Sequence, residues 1–451
     1  LPLQAQNSHL KRYTTLLTST SDGLRGICAL GVVLHHCSLQ WFSWHILEPW
    51  FPGQPFFKLP IIRLLISGTP HVYIFFVISG YGLSHKPLKL CRQGRFDEAA
   101  SVLSSSIFRR HARLFVPATI ITFFCAVMTQ LNWYGKAEHM PGVALPTFEP
   151  PHLDSFWDQI KDFGWNQLAF MDPIGRTVAR ADPGEQVTQL HNPYDYALWT
   201  IPVEFHSSMV LLMFLMALSR VRSRVRMVIV LFSAVLLGFI FIYWAVFLFL
   251  SGMLICDLRM EIEERSLRRP ASKPGIEPWL GVTFGSIVGV VCFVLSLWAL
   301  STPHSAFGGR AAPGFRVLAS MIPERFGDQM LMPFAAIGLV LTLDNNRFLQ
   351  NLFTTSFAMY LGRISFTLSL IHGPLLNTLG HALARKSLAI VGGETDERYL
   401  TAIALAAIVW WLVLISLSCF VHRYVDAKAV QLSKWAYGKL LRANTRPIKE
   451  E

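Results

Sequence analysis

The chain has 451 residues, 52% of them hydrophobic and only 15% charged, and a formal net charge of +12. A soluble domain carries about 25% charged residues, so this chain has too few to cover a water-facing surface of its size. The positive balance suggests nucleic acid at first sight, but its distribution along the sequence is that of a multi-span membrane protein and points away from a nucleic-acid partner.

Apolar runs long enough to cross a bilayer predict an all-α, polytopic membrane protein of about ten transmembrane helices. They lie at roughly 24–42, 70–85, 115–131, 197–218, 227–242, 243–257, 279–300, 328–344, 354–379 and 400–422. Residues 1–23 form an N-terminal segment, 24–422 the transmembrane domain, and 423–451 a basic tail. Residues 227–257 are too long for one upright helix, and a short pair meeting near Ile242, Tyr243 and Trp244 keeps the count even. With both termini cytosolic, the inner segments collect 26 of the 40 Lys and Arg and the outer loops 12, while Arg25 and Arg363 sit at inner helix ends. An odd count reverses the basic 259–273 loop and the tail, against the positive-inside rule.

In chain order, the first span carries Arg25 and His36, an eleven-residue offset that returns to the same helix face about 16 Å further along. His35 lies 100° away from that face. Ionisable groups at such depth usually face a cavity or pathway. The second span holds Ser79, Gly80 and Gly82, which close helix packing also explains. FRRHARLFVPA places Arg109 and Arg113 on one face, with Arg110 between, at the cytosolic end of the third span. Residues 132–196 form a long outer loop rich in Pro, Trp, Asp and Phe, the length of a lid or substrate wall. LWTIPVEFHSS puts Glu204 in the fourth span beside Pro202, and ISFTLSLIHGPLL puts His372 deep in the ninth before a Gly-Pro break. In the tail, Val425, Val430, Leu432, Trp435 and Leu440 alternate with basic residues, a pattern expected on a membrane surface. The seven cysteines form no CxxC and none lies in an outer loop, so no disulfide framework and no metal site is expected.

Counting 1.5 Å per residue, His36 comes out about 16–18 Å above the inner boundary, His372 near 20 Å and Glu204 near 21 Å, one shared layer in the outer half of the membrane. Arg25, Arg109 and Arg113 mark the cytosolic mouth beneath it. This suits a phosphate-bearing donor held by guanidinium groups while a neutral histidine takes a proton from an acceptor hydroxyl. Glu204 would then orient the imidazole, hold a second proton or bind the acceptor. Prior acylation of His36 remains an alternative.

LRGICALGVVLHH, FFVISGYGLS, FRRHARLFVPA, LWTIPVEF and ISFTLSLIHGPLL, in this order, resemble the acyltransferase 3 family of integral membrane acyltransferases, from about residue 22 to 422. LWTIPVEF is most similar to fungal members. The resemblance implies transfer of an acyl group, often acetyl, from acyl-CoA to a hydroxyl of a carbohydrate or a small natural product. Acyl-CoA would be a co-substrate, with no permanently bound cofactor, in an endomembrane or plasma membrane. By the same resemblance His36 matches the family's essential histidine and Arg25 its paired arginine, Arg109, Arg110 and Arg113 match the basic cluster before the third span, and Glu204 and His372 match the polar positions of the fourth and ninth. Catalysis is therefore expected of His36, Glu204 and His372, and donor binding of Arg25, Arg109, Arg110 and Arg113. No hydrolase-like domain follows the last span, which favours a small lipophilic acceptor. Two rival readings share the same features. A transporter or flippase predicts symmetry between the halves, which the sequence does not show; a receptor or scaffold predicts tolerance of His36→Ala.

Overall fold

Inside a bilayer every backbone N–H and C=O must be satisfied within the protein, and long apolar runs therefore resolve into helices. The structure, a computed structural model, describes residues 2–134, 143, 148–172, 192–268, 284–303, 312–322 and 330–441. Among these the regular elements are all helical: α1 (Pro2–Trp41), α2 (Gly68–Arg92), α3 (Phe96–Gln130), α4 (Phe156–Phe170), α5 (Thr200–Ala217), α6 (Ser223–Val235), α7 (Trp244–Arg268) and α8 (Phe284–Leu300). They continue with α9 (Arg316–Met321), α10 (Leu331–Asn345), α11 (Arg347–Phe353), α12 (Ser356–Leu375), α13 (His381–Val391), α14 (Asp396–Val421) and α15 (Ala427–Leu440). Four described helices are long and apolar enough to cross a membrane: Phe96–Gln130, Tyr196–Ala217, Ser223–Ile240 and Asp396–Leu440. Ile287–Leu300 and Leu331–Asn345 are shorter apolar helices.

The run 227–257 is two helices. A π-helical turn, Leu236–Ile240, ends the first, and Ile242 takes a left-handed φ of 61° before α7 begins at Trp244. The basic loop after α7 lies partly, and the tail beyond Leu441 wholly, outside the described residues. The described part of the tail is a further stretch of helix. It continues α14 through a π-turn, His422–Asp426, and α15 packs along the first half of α3, where Phe108 and Tyr437 rings lie 5.3 Å apart.

Among the described residues, two large buried clusters form most of the core, beside a small third one at Leu90, Cys91 and Ala99. One large cluster is built mainly on α2, α5, α7 and α10, around Phe76, Phe249, Leu211 and Leu339; the other joins α1, α3, α4, α12 and α14 around Val33, Phe115, Leu368 and Trp410. Helices α1 and α12 run parallel and very close, because Gly26 faces Gly362. A Cβ on Gly26 would sit 2.3 Å from the Gly362 nitrogen, and one on Gly362 would sit 2.2 Å from the Asp22 carbonyl oxygen. Glycine at that contact lets the two backbones touch, as at close helix crossings in membranes. It also puts the two helices in register, one rising from Arg25 and the other from Ala358.

The described part of the outer loop is not a free lid. Its helix α4 descends along α3, with Gln159 bonded to Gln130 and Gln167 to Thr119 and Thr122. The loop segment 192–199 follows it down, so α5 begins well inside the protein.

Candidate active site

Register between α1 and α12 brings His36 and His372 together, with ring centroids 5.0 Å apart. His372 is 1% exposed. Its Nδ1 lies 2.8 Å from the Ser369 carbonyl oxygen, one turn back, and so carries the proton and donates it there. That leaves Nε2 as a lone pair, buried and without a hydrogen-bond partner among the described residues. Unsatisfied buried polar atoms are rare enough to ask for an explanation. The Gly-Pro step that follows, Gly373-Pro374, removes one helical N–H, and the chain widens into a π-turn at Leu376–Gly380.

The neighbouring imidazole does something different. His35 Nδ1 lies 2.8 Å from the Ile66 carbonyl oxygen, and His71 Nε2 lies 2.9 Å from that of Leu64. Both rings staple the short helix Ile62–Ile66 onto the α1–α2 pair, in space left open by Gly68 and Gly31. His35 is thus held in the scaffold, while His36 turns toward α12.

About three turns below His36 lies the charged mouth. Arg110 Nη2 donates to Glu204 Oε1 at 2.7 Å, and its Nε donates to the Ser208 hydroxyl at 3.1 Å. Both partners stand on one face of α5, four residues apart. Arg25 lies within electrostatic reach of Glu204 and Arg113, with its Nη1 3.4 Å from Asp22 Oδ1. Its Nε is buried and unpartnered among the described residues. Arg113 is exposed, beside these groups, whereas the Arg109 Nε donates to the Ser105 carbonyl of its own helix.

Glu204 therefore does not share the histidine layer. Its carboxylate is engaged by Arg110, at the mouth. The depth expected from the sequence starts the fourth span at the outer surface, but α5 begins below the dipping segment 192–199, which lowers Glu204 accordingly. Two residues at the site carry little sequence signal. Ser208 follows Glu204 at helical spacing and is the one that spacing makes legible. Asp195 is 3% exposed, and its Oδ1 packs against Gly373, where a Cβ would lie 2.7 Å away. That contact crosses from the loop to the helix of His372, and nothing in the local sequence announces it.

The described residues hold no cluster of three or more His, Cys, Asp or Glu able to bind a metal ion. A paired imidazole at the head of α1 and guanidinium groups at its foot suit general-base chemistry on a substrate with an anionic end. Comparison with known proteins gives the chemistry its class. Residues 19–421 match the acyltransferase 3 family profile, described as "Acyltransferase domain".

The chain belongs to the acyltransferase 3 family. It is 70% identical over 451 residues to "O-acetyltransferase PaAT-1" of Phomopsis amygdali, covering all of this chain and 90% of that protein. It is also 26% identical over 407 residues to "Acyltransferase R4" of a Phoma species, covering 83% of this chain and 81% of the relative. "Acyltransferase clz18" of Cochliobolus lunatus is 25% identical over 404 residues, covering 82% and 81%. No solved structure matches. The protein is an acyltransferase of a membrane family, and its likeness to curated proteins is to fungal ones.

Proposed function

We propose that this membrane acyltransferase is an O-acetyltransferase that moves an acetyl group from acetyl-CoA to a hydroxyl of a small natural product, with His36 as general base. The observation that carries this reading is the imidazole pair of His36 and His372, the Nε2 of His372 having no partner among the described residues, at the head of a helix whose foot presents Arg25 about 16 Å from His36. The name of the 70% identical relative supports O-acetyl transfer, and the secondary-metabolite acceptor follows the sequence reading.

The donor's diphosphate meets Arg25, Arg110 and Arg113 from the cytosolic side, and its arm runs up beside α1 toward His36. Glu204 and Ser208 hold the Arg110 fork in place, so less side-chain freedom is lost when phosphate binds. His36 takes the proton from the acceptor hydroxyl as its oxygen attacks the thioester carbonyl carbon. The carbon–sulfur bond then breaks, and the imidazolium returns the proton to the departing CoA sulfur. His372 Nε2, an acceptor only while Nδ1 is tied to Ser369, takes a hydrogen bond from the imidazolium or from the incoming hydroxyl.

The test is transfer of label from acetyl-CoA in membranes carrying the protein or its His36→Ala form, supplied with hydroxylated metabolite extract. Esterified product is expected from the first and not from the second. Equal labelling removes His36 from the chemistry.

A further inference from the structure

Helix α4 has two faces of opposite kind. One side carries Gln159, Phe163, Gln167 and Phe170, all buried. Their polar atoms are satisfied from within the protein. Gln159 accepts from Gln130 at 2.9 Å and donates to the Tyr194 hydroxyl at 2.7 Å; Gln167 donates to Thr119 at 2.8 Å and accepts from Thr122 and Asn192 at 3.0 Å each. The other side carries Trp157, Lys161, Trp165 and Leu168, with the three apolar members 65%, 76% and 67% exposed. So large an apolar face in water is an interaction surface.

The ladder of bonds to α3 fixes how far α4 descends. Gln159 pairs with Gln130 at the helix end, Gln167 lies eight to eleven residues lower on α3, and the Met171 carbonyl meets His111 at 3.0 Å. From Gln159 to Met171 the drop is about 18 Å, more than half of a hydrocarbon core of about 30 Å. The exposed face continues that of α3, a helix of membrane-spanning length, whose Phe123 and Phe124 are exposed and whose Phe123 ring lies 5.7 Å from Phe163. Lys161 bends back toward the start of α4, with Nζ 3.2 Å from Asp158 and 5.9 Å from the Trp157 ring. That is how a lysine in lipid reaches for the interface.

We infer that the outward face of α4 is a lipid-contact surface, the helix being sunk beside α3 into the leaflet at the Gln130 end, with lipid acyl chains against Trp165 and Leu168. The connection between the third and fourth spans is then a membrane half-helix whose inner side covers the hydroxyls of Thr119 and Thr122, which would otherwise face lipid. The inference is independent of the proposed chemistry.

Nitroxide labels on Trp165→Cys and Leu168→Cys in phosphatidylcholine vesicles test it, with Phe124→Cys and Glu394→Cys as lipid and water references and the labelled unsubstituted protein as background. High collision with oxygen and low collision with a water-soluble nickel chelate is expected, the ratio rising from 165 to 168. Nickel access like that at 394 overturns the inference in favour of an aqueous face. Access to neither reagent overturns it in favour of a covering protein, such as a second copy. Phosphatidylcholine brominated in mid-chain should also quench tryptophan emission less in Trp165→Phe than in the unsubstituted protein; equal quenching counts against it.

Discussion

Among the described residues, two buried groups of ionisable side chains make a contrast: one is closed and the other is open. Where α2, α6 and α7 meet, Asp257 receives Arg92 and Arg226 at 2.7 Å each, and Arg92 also reaches Glu261 and Glu264. The Arg92, Asp257 and Arg226 side chains are 7%, 1% and 3% exposed, and none of their polar atoms lacks a partner. At the α1–α12 contact, by contrast, His372 Nε2 and Arg25 Nε are buried with none among the described residues. A closed network fixes helices; atoms left open are what a substrate can complete.

The sharpest way to break this contrast is to remove one residue from each group. His36→Ala should lower acetyl transfer by roughly 10²- to 10⁴-fold, the scale of a lost general base, while the thermal midpoint in detergent stays near that of the unsubstituted protein. Asp257→Ala should do the reverse. It leaves the buried Arg226 guanidinium without its carboxylate, takes one of three from Arg92, and should destabilise the fold by about 3–5 kcal/mol, read as a lower unfolding midpoint. If His36→Ala unfolds the protein and Asp257→Ala does not, the division between the two groups is wrong.

Register is the next lever. The 5.0 Å imidazole contact depends on α1 and α12 touching at Gly26 and Gly362. Gly362→Val drives a side chain into the Asp22 carbonyl. It should be destabilising by about 1–3 kcal/mol and should depress transfer further than that loss of folded protein explains. Transfer falling only in step with folded protein would mean that the rings need no such alignment.

Acid sharpens the comparison on the closed side. Burial pushes the Glu261 carboxyl up, but hydrogen bonds from Arg265, Arg92 and Arg224 outweigh it and hold the group at about 2. A carboxylate depressed by folding contributes fully above its unfolded value, and that contribution is lost as pH falls toward about 2. Glu261→Gln should therefore flatten the fall in unfolding midpoint between about pH 4 and pH 2. An unchanged slope would show that Glu261 is not part of the lock.

The imidazole pair was legible from sequence for a simple reason. Rise per residue turns position along a span into depth, and the spans of His36 and His372 start from the same side. Glu204 was misjudged because that conversion needs the right starting level. Segment 192–199 packs within the protein, its Asn192, Asp195 and Leu198 buried, yet the stretch rich in Pro, Trp, Asp and Phe that contains it reads as a loop outside the spans. Helical spacing also favours Arg109 with Arg113 as the paired basic residues. The residue that turns inward is Arg110, because Glu204 and Ser208 wait on α5, and partners from another helix are invisible to local spacing.

That last point yields the smallest expected effect. Arg109 and Arg110 are neighbours in sequence with opposite surroundings: one bonds to a carbonyl of its own helix, the other to a carboxylate and a hydroxyl on α5. Arg109→Ala should change stability by no more than about 0.5 kcal/mol and leave the KM for acetyl-CoA unaltered, as for a substitution away from buried partners. Arg110→Ala removes the hydrogen-bonded partner of Glu204 and the fork proposed to hold the donor's phosphate, so its KM should rise about tenfold or more, equivalent to at least about 1.4 kcal/mol. Should Arg109 prove the more sensitive of the two, the donor passes on the far face of α3, and the open group at the foot of α1 serves some purpose other than holding phosphate.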